Sequence, residues 1–209
     1  FKDKYFSRIE FFSRLDNAIF LTKKFQIGLQ LTISKDFFLD NIDSFIDRKI
    51  ILKRIDKLTI HLHAFYSSLF SSDNRSKMFV KKLNIYLKNF KNLKGFCVHP
   101  DNVSNYKELK KLKKKKRYLA IEVCDLKSKS GNNFLQIKDL LNHYKFLDLV
   151  LDSSHINQIK EKYKNEYNFS HYFKTFKDKV KEIQLSSNKN NYKKIFSKKF
   201  KTDHSLIIL

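Results

Sequence analysis

Residues 118–155, YLAIEVCDLKSKSGNNFLQIKDLLNHYKFLDLVLDSSH, constrain the fold more than any other stretch of the chain. The apolar run 118–123 carries Glu122 at its end, a loop with Gly131 follows, and 134–144 shows amphipathic helical spacing. A second apolar run, 147–151, then stops at Asp152, with His155 in the next turn. Strand, helix, strand in this order is a βαβ unit, and it makes the two strands parallel. In parallel sheets the strand-to-helix loops converge at the carboxyl ends, so acids placed where strands stop are placed for chemistry.

The rest of the chain repeats the alternation. The runs SRIEFF (7–12), IGLQLTI (27–33), LTIHLH (58–63), 95–98 and VKEIQL (180–185) read as further strands. Between them, 15–25, 37–55, 73–92, 156–177 and 192–200 have helical spacing, and Asp73 or Ser76 can cap the third of these. Seven strands alternating with helices predict an α/β TIM barrel, short for its class and incomplete at the eighth strand. With only 3 Gly and 1 Pro there is no linker to divide the chain, so 1–209 is expected to be one domain. No Gly-rich phosphate loop follows the first strand, which argues against a dinucleotide fold.

Charge bears on the choice of partner. The net charge of +23 suits phosphates, but Lys is scattered through every expected helix. The one dense run, KKLKKKKR at 110–117, is expected on the face away from the strand exits, so nucleic acid is the less favoured partner. No apolar run reaches the roughly 18 residues of a membrane span. No signal-peptide pattern opens the sequence, and Cys97 and Cys124 fall in apolar strands as core thiols, so a cytoplasmic setting is expected.

Sorted by strand exit, the polar residues form a series: His63 at the end of LTIHLH, His99 before Pro100, Glu122, then Asp152 and His155, with His204 near the end. His61 and Glu10 lie within strands, and Gln184 is the last polar residue of VKEIQL, before Leu185. Imidazoles and carboxylates gathered in one mouth suit a divalent metal, Zn or Mn, which takes nitrogen and oxygen donors.

IHLHAFY, FCVHPD, LAIEVCD, LVLDSSH and TDHSL, with RIEFF near the start, resemble in order and spacing the xylose-isomerase-like TIM barrels. That superfamily includes sugar-phosphate isomerases and epimerases and the endonuclease IV enzymes. The resemblance implies His63 and His99 on one metal, Glu122 bridging to a second held by Asp152, and His155 with His204 on a third in the nuclease branch. HAFY resembles the family's H-A-P-Y, which selects His63 over His61. Gln184 stands near the place where the family has His, and the Glu of the family's last strand has no counterpart. The barrel is therefore expected to lack its closing strand, with 205–209 left out of the sheet and His204 in the mouth. The function implied is a metal-dependent sugar or sugar-phosphate isomerase or epimerase with Glu122 as acid/base. An endonuclease-IV-like phosphodiesterase and a degenerate non-catalytic barrel are the alternatives.

Overall fold

The computed structural model of the chain describes residues 8–25, 28–63, 68–163, 167–185 and 205–207. Six strands lie parallel and side by side in chain order: β1 Leu29–Ile33, β2 Leu58–Leu62, β3 Leu93–Val98, β4 Tyr118–Glu122, β5 Asp148–Asp152 and β6 Val180–Leu185. A short seventh, β7 Ser205–Ile207, pairs antiparallel with β6. Helices fill the crossovers, and the sheet curls into a half-barrel.

Each strand divides its side chains between two faces, as period-2 geometry requires. Leu31, Ile60, Phe96, Leu119, Ile121 and Leu149 join the main core with the helices. Cys97, Ala120 and Val150 form a separate small cluster with Tyr118 on the other face. The concave face is otherwise polar. The Gln30 Nε2 of β1 donates to Glu182 Oε1 of β6 at 2.8 Å, so these strands meet through side chains across the hollow of the sheet.

The architecture corrects the expected TIM barrel. Among the described residues no backbone pairing joins β1 to β6 or β7, so the sheet is not a closed eight-stranded barrel. Two local differences account for this. The run expected as a first strand, 7–12, belongs from residue 8 to helix α1 Arg8–Phe25. Phe12, Leu15 and Ile19 are buried at helical spacing, a pattern visible only when the run is read through Ser13 and Arg14. The terminal residues, expected outside the sheet, supply β7, which turns back along β6 instead of closing it in parallel. The helix expected over 192–200 lies outside the described residues.

The stretch 37–55 is three short helices, α2 Lys35–Asp40, α3 Ile42–Asp47 and α4 Lys49–Leu52. It breaks at Asn41, whose backbone is non-helical and whose amide donates to Phe37 O at 2.9 Å. Side-chain amides compete with the helix ladder in this way. The pieces are held by an aromatic cluster in which Phe38 and Phe45 are fully buried and Tyr86 donates to Phe45 O. Helix α5 Asn74–Tyr86 starts where Asp73 accepts from Ser76 N at 2.7 Å, as its sequence suggests. Helices α6 Tyr106–Lys110, α7 Phe134–His143, α8 Ser153–Tyr163 and α9 Phe169–Phe176 complete the set among the described residues, with a 3-10 turn at Pro100–Asn102. Among the described residues no helix is long and apolar enough to cross a membrane.

Candidate metal centre at the strand exits

Because β2 to β5 are parallel and in near register, their last residues come to one end of the sheet. His61 lies within β2, His99 follows β3 and caps the Pro100 turn, and Glu122 ends β4. Asp152 ends β5, and His155 lies in the first turn of α8.

Glu122 is the hub. Its Oε2 lies 3.3 Å from His61 Nε2 and 3.4 Å from His99 Nε2, and accepts from the Cys97 thiol at 3.4 Å. Its Oε1 faces His155 Nδ1 at 3.6 Å. The carboxylate is 2% exposed whereas the three imidazoles are 13–17% exposed, so it lies beneath a rim of rings. Burial alone would raise the Glu122 pKa; the His61, His99 and His155 imidazoles outweigh it and hold the carboxyl well below the usual range. Burial likewise works to lower His99, but Glu122 reverses the direction and raises it.

Asp152 is fully buried and has two tasks. Its Oδ1 accepts from Ser154 N and Oγ at 2.7 Å each and from His155 N at 3.1 Å, which fixes the start of α8. Its Oδ2 faces His155 Nδ1 at 3.9 Å. That nitrogen is also 3.0 Å from Val123 O, a carbonyl that can accept from it when Nδ1 carries a proton.

Two donor groups result, His61 with His99 and Glu122, and Glu122 with Asp152 and His155, each with ligand atoms within 4.8 Å of one another. A tetrahedral cation bound at the usual Zn–N length has ligand-to-ligand edges of about 3.3 Å. The observed 3.3 and 3.4 Å edges match, and the nitrogen and oxygen donors suit Zn or Mn, so the residues fit the ion. A third group, His99, Asp101 and Cys124, takes its carboxylate from an exposed Asp101 and is the less enclosed host.

The remaining candidates divide. His63 lies just past β2 with its ring centroid 5.0 Å from His99, beside the first group and outside it, while His61 is the imidazole that reaches Glu122. Gln184 is buried on β6 opposite Asp152 and turns toward Glu182 at 3.3 Å instead of entering a donor group. Glu10 is on α1, paired with Arg14 at 2.8 Å, and takes no part. His204 lies outside the described residues.

Sequence reasoning missed the polar floor below the centre. Glu182 is fully buried and accepts from the Tyr118 hydroxyl at 2.8 Å, Gln30 at 2.8 Å and Gln184. Burial raises its pKa, and these donors moderate the rise. The signal was available: Glu182 and Gln184 alternate on the same face of VKEIQL. Comparison with known proteins finds no matching family model and no matching curated protein.

Proposed function

We propose that the exit end of the sheet holds a divalent cation, zinc or manganese, and that the protein is a metal-dependent enzyme isomerising or epimerising a sugar or sugar phosphate. The observation that carries this reading is the meeting of His61, His99 and Glu122, from three successive strand ends, at ligand-to-ligand spacing. A cation bound there would polarise a substrate carbonyl or hydroxyl. Glu122, sealed beneath the imidazoles, would supply charge to a bound cation and is poorly placed to reach a substrate carbon. His63 is the better proton carrier: it is half-buried beside His99, and burial, with His99 next, lowers its pKa and favours the neutral ring. Two unbridged buried thiols, one bonded to Glu122, suit a reducing cytoplasm.

A second reading, phosphodiester hydrolysis on nucleic acid, is favoured by one observation. The two oxygens of Glu122 face different donor groups, as a carboxylate bridging two cations would. Metal-free protein reloaded with Zn or Mn separates the readings. The expected result is one ion per chain, with metal-dependent exchange of a sugar-phosphate C–H with deuterated water that His63→Ala removes. Two ions with cleavage of a phosphodiester would support the second reading. Bound metal with neither activity would leave a non-catalytic metal protein, and no bound metal would overturn both.

A further inference from the structure

At the opposite end of the sheet, where the strands begin, a hollow of about 700 Å³ is lined almost wholly by cations. Lys57 comes from the turn before β2, Lys94 from the start of β3, Lys115 and Lys116 from the loop before β4, and Lys181 from the start of β6. Parallel strands bring all these starts to one end, so segments far apart in the sequence deliver like charges to one concavity. The ring of Tyr118 also lines it, with its hydroxyl bonded to the buried Glu182.

Charge balance separates this hollow from the basic surface in general. Among the described residues Asp148 is its single lining acid, and it is engaged by Lys113 at 2.7 Å and by Leu119 N at 3.3 Å. Arg117 is fixed by donation to Leu87 O and Phe90 O. Among the described residues Lys57, Lys94, Lys115 and Lys116 have no acidic partner within ion-pair distance, and all four are exposed. Like charges held around a concavity repel one another, and a multivalent anion relieves the repulsion in proportion to its charge.

We propose that this hollow is a binding site for a compact oligophosphate, a chain of two or more linked phosphoryl groups, separate from the centre at the strand exits. The volume suits a compact ligand, and lysines from the starts of four strands converge on this one open concavity. Lysines, as flexible point charges, hold phosphates without fixing their geometry, so recognition is by charge density.

The test is calorimetry on the full chain in chelator, so that no cation at the strand exits can bridge to phosphate, at about 0.1 M salt where surface charges are partly screened. The probes are inorganic tripolyphosphate, orthophosphate and a thymidine decamer. Tripolyphosphate is expected to bind at least about tenfold more tightly than orthophosphate. Replacing Lys94, Lys115 and Lys116 together by Gln is expected to weaken it at least about tenfold, with melting temperature unchanged. A control with Lys77 and Lys81 of α5 and Lys88 just beyond it replaced by Gln keeps the affinity. Equal losses in the two triple variants would overturn the proposal in favour of diffuse charge. Tighter binding of the decamer, lost in the entrance variant, would overturn it in favour of a nucleic-acid strand. Absence of tripolyphosphate binding would overturn it outright.

Discussion

Replacing Glu122 by Gln is expected to lower divalent-metal affinity at least about 100-fold, because it removes the only charged ligand common to both donor groups. The carboxamide keeps the size of the side chain, so the floor under the imidazoles stays filled and the loss is one of charge. The variant carries a second signature in metal-free protein. Glu122 has its pKa depressed below 4.5, so its share of stability is present above that value and is lost as pH falls through the folded pKa. His99 is raised above 6.5, so its share is present below that value and is lost as pH rises through the folded pKa. Their overlap is the window between pH 4.5 and 6.5. The stability difference between the protein and Glu122→Gln, from urea unfolding in chelator, should be greatest in that window and shrink on both sides. A difference that does not vary with pH would mean that Glu122 and the imidazoles are not coupled.

The second large effect is expected at Gly95. A Cβ built there falls 2.4 Å from Cδ2 and Cγ of Tyr118, which lies beside it in register on β4. Cγ is the root of a ring, not the far end of a flexible chain, so Gly95→Ala must move the whole side chain. The hydroxyl would then leave Glu182, a fully buried carboxyl, one donor short. Overpacking plus a lost buried hydrogen bond should cost about 2–4 kcal/mol by urea unfolding. Tyr118→Phe, which removes the donor without overpacking, should cost about 1–3 kcal/mol. Gly95→Ala at wild-type stability would show that the ring can leave Glu182 without penalty.

The parts legible in the sequence were those written locally. The crossover unit around Glu122 follows from apolar runs bounded by polar turns, and it was read within a residue or two of β4, α7 and β5. The placing of His99, Glu122, Asp152 and His155 at one end followed from parallel order alone. What was not legible has physical causes. RIEFF is too short to separate a strand from a helix, and only the continuation through Leu15 and Ile19 decides it. The choice between His61 and His63 depends on where β2 stops and on ring orientation, and a run of alternating residues contains neither. Closure of the sheet is a long-range property: whether 205–207 pairs parallel or antiparallel with β6 is set by the path of the preceding chain, not by SLI itself. Glu182 lies inside VKEIQL and not at its exit, and only the curl of the sheet buries it.

On the proposed reading a divalent cation belongs at the exits of β2, β3 and β4. Anomalous scattering from crystals of the protein loaded with Mn or Zn tests it most directly. The expected result is a peak within about 2.0–2.2 Å of His61 Nε2, His99 Nε2 and a Glu122 oxygen. A fully loaded crystal with its ion elsewhere, or with no ion between these three side chains, would contradict it.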